Sequence, residues 1–254
     1  MAMISLAINT ASRSTSIALI KDKKVFAEKC WISENNEAEK LMPEIDKLLK
    51  SKKISYEDLS KVIVIKGPGS FTGLRVGIGL GNAISYVQKI PIFSIDTFSF
   101  LRKRNSVFKV SKKAESKKKV QEKAVIKKSA QKNTISKNAT SENTALKDTA
   151  QQNTALLLLA GKSEVYIQLN EKGTPYALKL EEAKKFLKEK GIKTIFGELF
   201  EEQRKVFKDF EFIDSGTTFG EAVALLSDKD LEKSKIVAPL YVKDPQISLP
   251  KPFK

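Results

Sequence analysis

A glycine-rich stretch constrains the fold of this chain more than any other feature. Residues 66–77 read KGPGSFTGLRVG and follow the apolar run Val62–Ile65, which is typical of a buried strand. The next segment, Thr72–Val87, predicts a helix that contains four glycines: Gly73, Gly77, Gly79 and Gly81. A strand, a turn of this kind and a helix can place backbone N–H groups around an anion, whereas glycines four residues apart let a neighbouring element lie close against the helix.

Two nucleotide-binding motifs fit this stretch poorly. A P-loop requires a lysine followed by serine or threonine after its last glycine, but Leu74 and Arg75 follow Gly73 here. A dinucleotide fingerprint belongs to the first strand of a parallel unit, and this turn follows the fourth predicted strand. The sequence therefore argues against both kinds of phosphate site.

Glycines inside a helix must be compensated by packing. Each one costs roughly 1 kcal/mol relative to alanine, so four weaken an isolated helix by about 4 kcal/mol. Two interpretations stay open: the small-residue face packs onto the chain's own sheet, or a helix of another chain docks on it. On the second interpretation, Gly77→Leu abolishes pairing and leaves the fold largely intact.

Composition excludes several classes of site. The chain has 254 residues, enough for one large domain or two modest ones, and it contains no histidine. A histidine triad, a zinc protease site and a His-ligated iron site therefore cannot come from this chain alone. Its single cysteine, Cys30, excludes an internal disulfide and is expected to be a buried thiol in a strand.

Nothing in the sequence predicts contact with a membrane. No apolar run approaches the ~18 residues that a membrane span needs. The first residues, Met1–Leu6, lack a basic region and a cleavage pattern and predict a strand instead of a signal peptide. We therefore expect a cytoplasmic location.

The positive charge is concentrated in one segment. The whole chain carries a formal +16, and residues 102–154 hold fifteen Lys or Arg against four Asp or Glu, a net +11. Residues 109–154 are rich in Lys, Ser, Ala, Asn and Thr, and they predict a disordered basic insertion because they offer little apolar surface to bury. Two interpretations stay open: a solvated linker, or a sequence-blind contact with nucleic-acid phosphates.

The order of predicted elements points to a two-lobed α/β fold. Strands at Ile4–Ile8, Ser16–Ile20 and Lys24–Ile32 form an antiparallel meander, and the helix Glu37–Lys50 follows. The strand at Val62, the glycine-rich helix, a strand and a helix complete the β-β-β-α-β-α-β-α order of a ribonuclease H-like lobe. The pattern partly repeats after the insertion, so we expect the actin-like ATPase (ASKHA) superfold with a shortened second lobe. The predicted boundaries are 1–108, 109–154 and 155–254.

The same glycine-rich residues carry a resemblance to a known family. The run Gly67–Gly77 closely resembles the signature of the TsaB (YeaZ) family, a bacterial subunit of the tRNA threonylcarbamoyladenosine (t6A) machinery. Four shorter matches follow the family's order along the chain: Ile8–Ala11, Glu39–Pro43, Ser163–Tyr166 and Pro239–Val242. The lysine-rich insertion has no counterpart in the family pattern.

The resemblance implies a non-catalytic scaffold subunit. A TsaD-like paralogue would carry the metal and move threonylcarbamoyl from threonylcarbamoyl-AMP to N6 of adenosine 37 of tRNA, and a TsaE-like ATPase would reset the complex. The chain itself would then bind no cofactor, with ATP and metal on the partner subunits. tRNA would be reached through the complex, with or without help from the basic insertion. A homodimer is a further possibility when the chain is alone.

In this family the first two helices pair with the equivalent helices of the partner. The resemblance therefore implies a partner interface on the first helix and on the glycine-rich helix. Its expected members are Leu41, Ile45, Leu48, Gly73, Leu74, Gly77, Ile78 and Gly81.

Some residues depart from the family pattern. Asn9 stands where the family has aspartate, Glu37 where it often has histidine, and Leu159–Gly161 where it has Asp-Ala-Arg. These departures weaken the case for chemistry in this chain's own cleft. The alternative function is an independent ATPase or phosphotransferase that would use Asp96 and Asp22 as metal carboxylates, although Asp96 also suits a helix cap.

Overall fold

The fold is described from a computed structural model. The described residues are 3–105 without 13 and 35, 153–170 without 162, and 173–242. The predicted disordered insertion lies outside these residues except for its last two positions. Within the described residues, no helix has both the length and the apolar character needed to cross a bilayer.

The first lobe is built on a six-stranded sheet. Its strands are β1 (Ile4–Asn9), β2 (Ser14–Lys21), β3 (Lys24–Ile32), β4 (Leu59–Ile65), β5 (Ile92–Ile95) and, from near the end of the chain, β11 (Glu232–Ser234). They run in the order β11-β5-β4-β1-β2-β3, with β1–β3 antiparallel and β4 and β5 parallel to β1. The helices are α1 (Glu37–Ser51), α2 (Phe71–Gln88) and α3 (97–105).

The second lobe repeats this topology in a smaller form. Its five-stranded sheet has the order β10-β9-β6-β7-β8, in which a meander is again extended by parallel strands. Its elements are β6 (Thr154–Leu159), β7 (Glu164–Gln168), β8 (Tyr176–Lys179), α4 (Leu180–Glu189), β9 (Thr194–Glu198), α5 (Glu201–Val206) and β10 (Glu211–Ile213). The predicted pair of ribonuclease H-like lobes, with the second shortened, is therefore confirmed.

The chain returns to the first lobe near its end. Helix α6 (Phe219–Ala224) packs on β2 and β3, where the Gly220 N–H donates to Glu28 Oε2 at 2.7 Å. Strand β11 (Glu232–Ser234) then pairs antiparallel with β5. The sequence analysis assigns all of 155–254 to the second lobe, but α6 and β11 belong with the first. The short polar strand Glu-Lys-Ser gives no apolar pattern from which this return could be predicted.

Burial follows the position of each strand in its sheet. All six residues of β1 are buried, because helices cover both faces of a central strand. Strand β3 lies at the sheet edge and is mostly half-buried or exposed. Cys30 lies on this edge strand and is exposed, with its Sγ 3.2 Å from Ser14 Oγ, so the prediction of a buried thiol is wrong.

Helix α1 is amphipathic, as its sequence period predicts. Leu41, Ile45, Leu48 and Leu49 face the core, while the lysines between them face solvent. The helix begins at Glu37, as predicted, and Pro43 lies inside it.

Candidate functional site

The turn before α2 is stabilised by hydrogen bonds within the chain. Ser70 N donates to Ala11 O at 2.6 Å, Gly73 N donates to Ser70 Oγ at 3.2 Å, and Leu74 N donates to Ser70 O at 2.9 Å. On the other side of the turn, Thr97 Oγ1 donates to Pro68 O at 2.7 Å. These three N–H groups therefore have their partners within the chain.

Glycine is required at two points of this turn. Gly67 has φ of +106°, a left-handed conformation that side chains with a Cβ disfavour. A Cβ at Gly69 would overlap the Ala11 carbonyl. The glycines thus let the turn cross directly over the end of β1.

The glycine stripe of α2 faces the chain's own sheet. A Cβ at Gly73 would overlap Thr10 O, a Cβ at Gly77 would overlap Thr10 Oγ1, and a Cβ at Gly81 would lie 2.7 Å from Val64 Cγ1. The close approach that these glycines permit is therefore used inside the molecule. The sequence left two interpretations of this stripe open. The structure supports the first, in which the glycines pack onto the chain's own sheet.

All eight expected interface residues lie in the core of the first lobe. Leu41, Ile45 and Leu74 are 0% exposed, and Ile78 and Leu48 reach 2% and 8%. Gly73, Gly77 and Gly81 are buried as well. The fold of this chain covers these side chains, so a partner that binds the chain in this fold would contact other residues of the two helices.

The opposite side of α2 is apolar and largely exposed, with Val76 and Leu80 half-buried at its edge. A Cβ at Gly79 would meet no atom within 4 Å, and Tyr86 and Val87 are 86% and 69% exposed. We define the outer face of α2 by six residues at spacings of three and four: Val76, Gly79, Leu80, Ala83, Tyr86 and Val87. A helix that is apolar on every side is usually buried all round, and here the chain covers one side.

Helix α1 adds one flank to this face. Met42, on α1, is 51% exposed and lies one turn before Asp46. Asp46 Oδ1 accepts a 2.6 Å hydrogen bond from the Tyr56 hydroxyl, and the short 3-10 turn that holds Tyr56 contacts α2. Met42 therefore lies on the α2 side of α1. Burial, together with the bond to Asp46, raises the pKa of Tyr56, so its hydroxyl stays a donor.

The other flank of α1 is fixed to β3 by charge. Glu44 accepts hydrogen bonds from Lys29 of β3 and from Lys47 of α1, the latter at 2.9 Å. These two bonds, the first being the stronger cause, hold the pKa of Glu44 below its usual value. Helix α1 is thus joined to β3 through Glu44, on the side of the helix opposite to Met42.

The segment Val237–Tyr241, here called the C-terminal strap, borders the outer face of α2. The Asn82 side chain exchanges two hydrogen bonds of 2.9 Å with the backbone of Val237, and Leu240 N donates to Lys66 O at 2.7 Å. At the start of α2, the Arg75 guanidinium lies over the Phe71 ring, and its Nε donates to the Tyr241 hydroxyl at 3.3 Å. The polar side chains of α2 therefore hold this strap.

The two candidate metal carboxylates have structural roles at opposite ends of the sheet. Asp96 Oδ1 accepts from Ser99 N at 2.9 Å, which confirms the predicted helix cap. Asp22 lies in the β2–β3 turn and accepts from Met3 N at 3.2 Å. In the part of the chain that is described, no group of three or more Cys, Asp or Glu residues is placed to hold a metal ion.

Sequence comparisons match part of the chain. A family model described as TsaD, tRNA N6-adenosine threonylcarbamoyltransferase, matches residues 31–114. The chain is 41% identical over 107 residues to the tRNA threonylcarbamoyladenosine biosynthesis protein TsaB of Buchnera aphidicola subsp. Schizaphis graminum, which covers 41% of this chain and 49% of that protein. It is 35% identical over 99 residues to the protein of the same name from Bacillus subtilis, which covers 39% and 43%. The matched part spans about half the length of these curated relatives.

The fold comparison covers both lobes. The structure of YeaZ from Pseudomonas aeruginosa aligns with 94% of this chain and 99% of that chain, with a TM-score of 0.57 and 16% sequence identity. This likeness shows the shared fold. Together with the sequence matches, it confirms the resemblance to the TsaB (YeaZ) family.

Proposed function

On the premise that this chain is a relative of TsaB (YeaZ), we propose that it is a non-catalytic scaffold subunit for tRNA N6-threonylcarbamoyladenosine synthesis. Its partner would be a TsaD-like paralogue that transfers threonylcarbamoyl from threonylcarbamoyl-AMP to adenosine 37. A TsaE-like ATPase would join the pair, and ATP and metal would be bound by those subunits. The names of the matched relatives support a place in this pathway.

The outer face of α2 is the observation that carries the proposal. It presents apolar and small side chains to solvent, and Met42 adds to it on the α1 flank. Exposed apolar patches on a folded protein commonly mark interaction sites. Gly79 and Ala83 keep the centre of the face low, so the backbone of a partner helix could approach closely.

The docking surface would lie on other residues of α1 and α2 than the eight expected from the sequence. Leu41, Ile45, Leu48 and the glycine stripe support the two helices from inside. The partner would contact the outer face of α2 and Met42. The chemistry would depend on the partner, because the carboxylates considered for this chain have structural roles.

The test is a light-scattering measurement of the heterodimer. The full chain is mixed with the TsaD-like protein of the same organism, and a single species with the summed mass is expected. Gly79→Glu should prevent this species from forming, because it puts an unpaired charge at the centre of an apolar interface. Its own fold should be unaffected, since a Cβ at Gly79 meets no atom within 4 Å.

The matched control is Lys205→Glu, which adds negative charge to an exposed position of α5 in the second lobe. It should pair as the unmodified chain does. Heterodimer formation by Gly79→Glu would contradict the proposed interface. Absence of a heterodimer with the unmodified chain, or a stable homodimer that excludes the TsaD-like protein, would contradict the proposed function.

A further inference from the structure

Lysines cluster at the end of the first lobe that lies away from the glycine-rich turn. The lysine cluster consists of Lys21, Lys23 and Lys24 at the β2–β3 hairpin, and of Lys52 and Lys53 directly after α1. The ammonium groups of Lys21 and Lys52 lie 5.3 and 5.2 Å from the centre of the same ring, that of Phe26. This shared ring brings the two loops together on one surface.

Positive charge at this surface is not neutralised within the folded lobes. Among the described residues, no carboxylate lies within salt-bridge distance of any lysine of the cluster. Asp22, in the same hairpin, offsets one of the five positive charges and accepts a hydrogen bond from the Met3 N–H, so the surface keeps an excess of positive charge. Lys21 and Lys24 are directly opposite partners across the hairpin, an arrangement that like charges disfavour.

Backbone conformation adds a second unfavourable feature. Lys23 has φ of +62° and Lys53 has φ of +55°, the left-handed region that favours glycine and asparagine. Two neighbouring loops thus each place a lysine where another residue would stabilise the fold. Lys89, at the end of α2, has the same conformation with φ of +53°, so the lysine cluster is distinguished by its charge and not by its backbone.

We infer that the lysine cluster is a binding surface for the sugar–phosphate backbone of RNA. Lysines present compact point charges that suit phosphates, and neutralising each phosphate releases counterions. Phe26 is half-buried under two lysines and is not free to stack on a base, so the contact would be blind to sequence. The choice of RNA over other polyanions rests on the proposed function.

The inference is tested with Lys23→Asn/Lys53→Asn in the full chain. Asparagine removes two charges and tolerates left-handed backbone, so the melting temperature should rise or stay the same. Affinity for a labelled tRNA transcript should fall on the order of tenfold at moderate salt, and the slope of log K against log salt should become shallower by about 1 to 2. A purely structural role would change the melting temperature and leave the affinity unchanged.

Lys205→Asn/Lys208→Asn is the charge-matched control, with both lysines exposed in the second lobe. It should lower the affinity by less than about twofold, because distant charges are screened. Equal losses in both double variants would overturn the inference, since net charge alone would explain them. So would weaker binding to phosphatidylserine vesicles with unchanged tRNA binding, which would indicate a membrane surface. The isolated chain is used throughout, so a failure of heterodimer formation does not affect the result.

Discussion

The two lobes share one strand order but differ in the helix that follows the fourth strand. In the first lobe, α2 has 18 residues, four of them glycine, and packs tightly on its sheet. In the second lobe, α5 has 6 residues, EEQRKV, with charges in both turns. The same topology therefore leaves an apolar face exposed only where the composition of the helix supplies one. Helix α2 is apolar on both sides, and its sheet can cover one of them.

The means by which each helix is held also differ. Helix α2 is held by glycine-mediated contact with Thr10 and Val64. Helix α5 packs through Val206 and the adjacent Phe207 and adds an exposed ion pair, in which Arg204 makes two bonds to Asp214, of 2.7 and 3.2 Å. The bond to Arg204 lowers the pKa of Asp214. Packing and exposed ion pairs respond differently to mutation, salt and acid, and the following variants exploit this difference.

The largest loss of stability is expected at Gly77, one of the buried glycines of α2. Gly77→Ala should lower the free energy of unfolding by about 2–3 kcal/mol, because the new methyl group overlaps Thr10 at the helix–sheet contact. Urea unfolding followed by circular dichroism measures this change. A stability equal to that of the unmodified chain would mean that α2 does not lie so close to β1. The earlier expectation for Gly77→Leu, a loss of pairing with the fold intact, is replaced by a loss of folding.

A second variant tests the return of the chain to the first lobe. Hydrogen bonds from Ser227, and then from Lys103 of α3, lower the pKa of Asp230 to about 2. Because this pKa is below its unfolded value, the stabilisation is present above about pH 4 and is lost as the pH falls towards 2. Asp230→Asn should cost about 1–2 kcal/mol at neutral pH.

Chemical unfolding of both proteins across this pH range provides the check on Asp230. The difference between the Asp230→Asn variant and the unmodified chain should shrink as the solution is acidified. A difference that does not change with pH would contradict the assigned role of the carboxylate.

A gain in stability, instead of a loss, is expected at Gly79. Gly79→Ala should raise the free energy of unfolding by about 0.5–1 kcal/mol, because it improves helix propensity and its Cβ meets open space. The same urea titration measures it, with Gly77→Ala as the matched partner. Two changes of the same sign would contradict the assignment of the two faces of α2.

The smallest change in stability is expected for the ion pair of the second lobe. Asp214→Asn should lower stability by about 0.5 kcal/mol at low salt, since the side chain is largely exposed and the ion pair is screened. The loss should fade as salt is added, whereas the effect of Gly77→Ala should not. Thermal melts of both variants at low and high salt compare stabilisation by the ion pair with stabilisation by packing.

Much of the first lobe can be predicted from sequence because its elements carry clear periods. The meander β1–β3 and the helix α1 follow from apolar alternation and from Leu41, Ile45 and Leu48 at helical spacing. The return through α6 and β11 cannot be predicted in this way. Strand β11 has no apolar pattern, and its place is set by pairing with β5.

The candidate site could be predicted only in part. The glycine-rich helix and its family resemblance are evident in the sequence, but the side that faces the sheet is not, because α2 carries apolar or small residues on two opposite sides. The stripe Gly73–Gly77–Gly81 drew attention to the face that the sheet covers. The residues Val76, Gly79 and Ala83, at helical spacings of three and four, are the sequence signal for the outer face.

A spin label on the outer face of α2 tests the central claim most directly. The label is attached at Ala83→Cys in a Cys30→Ser background, and a second protein carries it at Lys205→Cys on α5; both positions are exposed. When the TsaD-like protein is added, the label at position 83 should become immobilised while the label at position 205 stays mobile. If the heterodimer forms and the label at position 83 keeps its mobility, the outer face of α2 is not the docking surface.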